Sequence, residues 1–444
     1  MNVKSLGVVS ALILIMFMSA IETSIISLAL PSIKDDLGVQ GNIALIFAVY
    51  FIAIVVANPI VGELLERVKI VYLTLFGLLV FMLGSLFSGM SMSFEMLILS
   101  RALQGFGAGV LMALSQIVPK LAFPIPLRYK VMGIVGSVWG ISSLIGPLIG
   151  GGILEISTWH WLFFINIPIA MIAGVIVLFT FHFNESAVTE KVKLDYKGLA
   201  LFYVFVGLLV FSVTYTAHLY WNIVTLVAAI IVAFLMYNVE RKVHKPFVPI
   251  NQFTKPITRV FMTDFLYALI LMGLNLYIPL YLQEVHGLSP LQSGFVILPM
   301  SLAWMFMSFV LDKLETRMTR KALYIFAFFL LTLCCIVIFV ASAKPIFIAA
   351  SLILSGLSFG IVYTKNSVIV QEETAVSQMK RMMSFYTLTK SLGNAVGSSV
   401  AGLIYAAPLI FVTFPIQNTM IFSIIILIML FILWSLKGKQ QVEG

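Results

Sequence analysis

Charges and turn residues divide the chain into fourteen apolar runs, near 7–30, 42–62, 70–90, 95–117, 130–154, 161–181, 198–217, 221–239, 260–282, 290–311, 322–342, 346–369, 382–405 and 416–436. Each is close to the roughly 20 residues that a helix needs to cross the hydrocarbon of a bilayer. A single spanning segment must satisfy its own backbone, which dictates helix. The pattern predicts an all-α polytopic membrane protein with short connections and no large soluble domain. The first run, from about Gly7 to Leu30, is too long for a signal-peptide core and lacks a small-residue cleavage site, so it is expected to persist as the first helix.

Composition agrees. Of the 444 residues 61% are hydrophobic and 10% charged, against about a quarter charged in soluble domains. The net charge of +9 would suggest a nucleic-acid partner in a soluble chain, but here it sorts by loop. With the N-terminus inside, alternate connections collect Lys4; Arg67 and Lys69; Lys120, Arg128 and Lys130; Lys191, Lys193 and Lys197; Arg241, Lys242, Lys245, Lys255 and Arg259; Lys313, Arg317, Arg320 and Lys321; Lys380 and Arg381; Lys437 and Lys439. That is all but five of the 27 basic residues, and only Lys34 and Lys344 fall outside. The asymmetry obeys the positive-inside rule. It predicts a multi-pass plasma-membrane protein with both termini cytoplasmic, and it needs no nucleic acid. Cys334 and Cys335 are adjacent in one run, which excludes a disulfide framework and a cysteine metal site. With no histidine cluster, nucleophile elbow or phosphate loop, neither an enzyme, a bound metal or cofactor, nor an ATP-driven pump is expected.

Five charges remain inside the runs: Glu22, Arg101, Asp264, Lys365 and Lys390. Intramembrane charge is expensive and marks function by default. At 1.5 Å per residue, Glu22 on the first run and Arg101 on the fourth both lie roughly 10 to 13 Å below the outer surface, at a depth where they could pair. Lys365, about four residues from the inner end of the twelfth run, reads as a snorkelling cation. Lys390, about two turns in on the thirteenth, reads as snorkelling or bonded to helix carbonyls. Asp264, one turn into the ninth run, is a charge that the helix N-terminal dipole alone could stabilise.

Small residues add a second signal, because close helix contact in lipid relies on them and proline interrupts the backbone ladder. The fifth run carries Gly133, Gly136, Gly140, Gly146, Pro147, Gly150, Gly151 and Gly152 at three- and four-residue spacing. A helix so bare is expected to pack closely against a neighbour or to bend. Gly105, Gly107 and Gly109 repeat the theme just after Arg101.

Five stretches together resemble the major facilitator superfamily, in particular its fourteen-helix branch of drug:proton antiporters. They are IETSIISLALPSI from Ile21; RALQGFGAG from Arg101; GPLIGG from Gly146, followed by WHWLFFINIPIA from Trp159; LDYKG from Leu194; and YLQEVHGLSPLQSGFVILP from Tyr281. The segment after the second run, GELLERVKI, keeps Gly62, Glu66 and Arg67 of the superfamily's cytoplasmic gate motif but has Lys69 at its second glycine. Its counterpart after the tenth run has Ser308 for Gly and keeps Asp312 and Lys313, and His160 stands where the branch has Arg.

The resemblance implies two six-helix bundles, residues 1–181 and 260–444, with two additional central helices and cytoplasmic connections at 182–259. It implies alternating access around a midplane cavity, and a conformational motif of Gly62, Glu66, Arg67, Gly105, Gly146, Pro147, Gly150 and Gly151. Glu22 would then carry the proton with Arg101 as its switchable partner, and drug and proton would compete for one negative charge. Cavity candidates are Phe17, Trp139, Tyr267, Tyr277, Trp304, Tyr363 and Tyr386, which suit amphipathic or cationic aromatic drugs and dyes. Exchanging one proton for one monovalent cation moves no net charge, whereas a second carrier, for which Asp264 is the best candidate, would recover roughly 2.3 kcal/mol per 100 mV. A sodium:proton antiporter or a metabolite exporter is the alternative on the same fold. A non-transporting receptor fits least, since no docking domain or obligate protein partner is evident.

Overall fold

The computed structural model describes residues 3–64, 68–124, 127–183, 195–214, 218–243, 246–374, 379–408 and 412–435. These form fifteen α-helices: α1 (Val3–Asp36), α2 (Leu45–Leu64), α3 (Ile70–Gly89), α4 (Phe94–Ala122), α5 (Leu127–Ile156), α6 (Trp161–Phe164), α7 (Asn166–Thr180), α8 (Tyr196–Thr214), α9 (Leu219–Glu240), α10 (Lys255–Glu284), α11 (Pro290–Glu315), α12 (Arg320–Ala341), α13 (Pro345–Glu372), α14 (Met379–Tyr405) and α15 (Pro415–Ser435). Thirteen of the predicted runs correspond to one helix each. The sixth is two pieces, α6 and α7, meeting at Ile165.

Local chemistry fixes the helix starts. Side chains of Ser93, Thr254, Ser289 and Thr319 accept hydrogen bonds from backbone N–H groups in the first turns of α4, α10, α11 and α12, satisfying donors that would otherwise be orphaned. At Ser289 the cap is reciprocal, with Gln292 reaching back to the Ser289 N–H. Gly287, in the tight α10–α11 connection, has φ +64°, a conformation that a side chain would disfavour.

With α6 and α7 taken together as Trp161–Thr180, twelve helical segments are long and apolar enough to cross a membrane, among the described residues and by length and composition. The two exceptions face each other. The apolar stretch of α2 is the shorter Leu45–Val61, and α14 carries Ser384, Thr387, Thr389, Lys390, Ser391, Asn394, Ser398 and Ser399. They pack together, joined by a cluster of Val55, Leu388, Leu392 and Val396 with Phe202 and Val206 of α8. Protein contact thus replaces lipid along both helices, which is where polar residues are tolerated.

In the N-terminal half, α4 packs on α2 and α3, and α1 on α5 and α7; in the C-terminal half, α13 packs on α11 and α12, α10 on α14, and α15 on α12. The halves meet through α5–α11, α2–α14 and α1–α10. Helix α8 packs on α9 and touches α14 and α2. On α9, Trp221, Ile230 and Phe234 are exposed, as lipid-facing side chains would be.

Specific contacts between the halves gather toward one end, the end of α1 remote from its N-terminus. Lys34 Nζ pairs with Glu284 at 2.7 Å. Gln283 Nε2 donates to Leu28 O at 2.9 Å, and Asn42 Nδ2 to Ser399 O at 3.0 Å. Ser301 Oγ donates to Ser143 O at 2.8 Å. Toward the opposite end, a side chain at position 133 or 136 of α5 would meet open space. Met132, Ile134, Phe306 and Phe309 are exposed there.

Candidate functional site

Glu22 lies a little past the middle of α1 and is fully buried. Arg101 Nη1 donates to its Oε2 at 2.5 Å, while Gln104 Nε2 at 2.7 Å and Asn166 Nδ2 at 2.5 Å donate to its Oε1. The structure therefore brings together the two intramembrane charges placed at one depth by residue counting. Arg101 is buried as well. Its Nη1 also donates to Gln104 Oε1 at 2.5 Å and its Nε to Ile46 O at 3.3 Å, and its guanidinium carbon lies 4.2 Å from the centre of the Tyr50 ring. Gln104 Nε2 reaches Ser85 Oγ at 2.8 Å. Removing one partner from a buried pair of this kind leaves an uncompensated charge, which costs about 3–5 kcal/mol.

Backbone packing sets this geometry. Arg101 and Gln104 share a face of α4 at i, i+3 spacing. Gly105 lets α4 approach α2 so closely that a methyl there would stand 2.9 Å from Tyr50 Cα. Asn166 stands at the start of α7, and its side-chain amide reaches Glu22. Gln104, Asn166, Tyr50 and Ser85 were not among the predicted site residues. Gln104 and Asn166 do sit inside quoted motifs, RALQGFGAG and WHWLFFINIPIA, as uncharged amides in apolar runs; a search restricted to charges passes over them.

Asp264 is placed differently from expectation. Helix α10 begins at Lys255, so Asp264 is its tenth residue and lies beyond the first turn in which the dipole acts. What holds it is side-chain chemistry: Asn366 Nδ2 donates to Oδ1 at 3.0 Å and Tyr386 OH donates to the same oxygen at 2.8 Å. Tyr324 OH donates to Asn366 Oδ1 at 2.5 Å. Oδ2 is buried without a hydrogen-bond partner. Lys390 neither bonds to helix carbonyls nor snorkels to an end among these contacts; its ammonium lies 4.1 Å from the Tyr363 ring centre. Lys365 pairs with Glu315 at 2.9 Å.

The cavity candidates separate. Trp304 and Tyr363 stack at 5.3 Å with 10° between their planes, and Tyr386 bonds Asp264. Trp304 also lines a small polar cavity between the halves, with Ser24, Ser27, Ser143, Asn275 and Ser301. Tyr267 is instead wholly buried and bonded to Ser358 at 2.9 Å. Tyr277 is buried against Tyr405 at 4.6 Å. Phe17 packs on the main core and Trp139 is exposed. None of these four lines that cavity: packing takes up Tyr267, Tyr277 and Phe17, while Trp139 is exposed.

The bare face of α5 is not one continuous seam. Gly146 and Gly150 lie against Ser24 and Ile25 of α1, close to Glu22, and Gly151 lies against the backbone of Leu291 in α11. Pro147 O faces Gly294. At Gly133, Gly136 and Gly152 an added methyl meets nothing within 4 Å. Glu66 and Arg67 of the gate motif lie outside the described residues, as does the side-chain environment at Gly62.

The family model of the Major Facilitator Superfamily matches residues 12–398. The chain belongs to that superfamily. It is accordingly a multi-pass membrane protein with the all-α major facilitator fold. It is 57% identical over 441 residues, 99% of each chain, to the multidrug efflux pump SdrM of Staphylococcus aureus (strain N315). Two solved structures superpose on it at low identity. A bacterial homologue of the human lysosomal transporter Spinster, in an inward-facing and unoccupied conformation, gives a TM-score of 0.71 at 12% identity, covering 98% of this chain and 97% of the other. A D-xylose–proton symporter gives 0.69 at 13% identity, covering 99% of each chain.

Proposed function

We propose that this protein is a proton-driven multidrug efflux antiporter that exports amphipathic, often cationic, compounds from the cell by alternating access. The observation that carries the coupling is the buried Glu22 carboxylate, held by Arg101, Gln104 and Asn166. In the proposed cycle Glu22 exchanges its proton when Arg101 leaves it and water reaches the site. The 57% identity to a multidrug efflux pump supports the substrate class.

In this reading the chain crosses the plasma membrane fourteen times with both termini cytoplasmic. Residues 1–181 and 260–444 form the moving bundles, and the α8–α9 pair sits beside them. Contacts such as Lys34–Glu284 and Gln283–Leu28 then lie at the outer face, so the cavity is closed outward, and the separated inner ends of α5 and α11 admit drug from the cytoplasm. Glu22 is the principal proton carrier and Asp264 the second.

Purified protein in proteoliposomes, with pH gradient and voltage imposed separately, tests this. Dye accumulation driven by an acid interior, with dye-dependent proton release, is expected. A sodium-dependent pH response without any drug would refute drug:proton exchange in favour of sodium:proton exchange.

A further inference from the structure

Two opposite charges stand side by side in the C-terminal half with bonding capacity unused. Asp264 is 1% exposed, and its Oδ2 has no hydrogen-bond partner. The Lys390 ammonium, on α14, interacts electrostatically with Asp264 without a direct ion pair. Its described contact is the face of Tyr363 at 4.1 Å. An ammonium has three N–H donors, and a ring face satisfies none of them as an anion would. Lys390 is partly exposed, and Tyr363 stacks on Trp304, a wall of the cavity between the halves. Through Tyr363 the charge pair reaches Trp304, and through Trp304 the cavity wall.

Resting on the proposed export function, we infer that Lys390 is a specificity-determining residue that recognises the carboxylate of zwitterionic aromatic substrates. The aromatic body lies on the Trp304–Tyr363 stack. The substrate carboxylate accepts from Lys390, which leaves the ring face it covers in the empty site, and the substrate ammonium turns to Asp264. A purely cationic compound finds Lys390 already on the ring and repelling it. The site therefore ranks a zwitterion above the same molecule with its acid esterified.

The test measures export of a planar aromatic amino acid-type zwitterion and of its methyl ester in proteoliposomes, for wild type, Lys390→Met and Lys390→Arg. The wild type is expected to favour the zwitterion. In Lys390→Met the zwitterion-to-ester ratio should fall about tenfold or more, the scale of one lost hydrogen bond to a charged group. In Lys390→Arg it should largely recover. Because the ratio is internal to each protein, poor folding alone does not alter it. A Met variant with the wild-type ratio, or a wild type that exports the ester but not the zwitterion, overturns the inference and leaves efflux standing. A wild type that exports dyes but neither compound also overturns the inference, and one that exports no dye either overturns the efflux reading itself.

Discussion

Gly151→Ala isolates what holds the two halves together at the end where Lys34 meets Glu284. An added methyl at Gly151 would stand 2.6 Å from Leu291 Cα and 3.0 Å from Leu291 N, where ordinary contact begins at 3.4 Å. The obstacle is backbone, so no rotamer change relieves it, and α5 and α11 must part locally by roughly 0.8 Å. Overpacking of this kind costs about 1–3 kcal/mol. Because α5 and α11 belong to different halves, only the conformation in which they touch bears that cost. At 1.4 kcal/mol per factor of ten, the balance moves about 5- to 150-fold toward the conformation with these ends of α5 and α11 apart. Gly150→Ala is the matched control: its methyl would stand 2.9 Å from Ile25 Cα, on α1 of the same half, a contact that both conformations keep. Spin labels at Glu155→Cys and Val285→Cys, both exposed, report the separation, and Cys334 and Cys335 are buried. Gly151→Ala should populate longer distances, while Gly150→Ala should lower thermal stability with the distribution intact. If both variants give the wild-type distribution, or both shift it alike, the reasoning from backbone contact is wrong.

Three further outcomes follow from the charged clusters. Glu22→Gln keeps the side chain's size but turns one acceptor oxygen into a donor and removes the proton site, so proton-coupled efflux should vanish in folded protein and Glu22→Asp should be partly active; drug-dependent proton flux at wild-type rate in the Gln variant would remove Glu22 from the mechanism. Arg101→Met should destabilise by about 3–5 kcal/mol, since it strands a buried carboxylate, and adding Glu22→Gln should restore part of that loss, as thermal unfolding in detergent would register. Asp264→Asn should spare export driven by a pH gradient at least partly but lessen stimulation by membrane voltage, worth roughly 2.3 kcal/mol per charge and 100 mV; an unaltered voltage response would leave Glu22 as the one proton site.

Much of the fold was legible in the sequence because lipid imposes a blunt rule: a crossing must be long and apolar. Residue counting along a rigid helix was enough to align Glu22 with Arg101 across 79 positions of chain. Two things escaped it. Helix starts were blurred: placing α10 a few residues late made Asp264 look like a helix-end charge, when capping by Thr254 starts the helix earlier. Neutral amides carry no signal in a count of charges, so Gln104, Asn166 and Asn366, which hold the two acids, went unnoticed. The aromatics failed for a different reason, since spacing does not say whether a ring such as Tyr267 points into its own half or out of it.

The partners of α14 bear on how the chain enters the membrane. A segment with a lysine, an asparagine and a run of hydroxyls is a poor candidate for insertion on its own hydropathy. Of its partners, α15 follows it in the chain, while α2, α8, α10 and α13 precede it. They can already be waiting when α14 is synthesised, offering Val55, Phe202 and Val206 as a protein surface in place of lipid. Biogenesis of this protein is therefore order-dependent. A copy whose early helices are withheld should release α14 to the aqueous side, however well α14 itself is made.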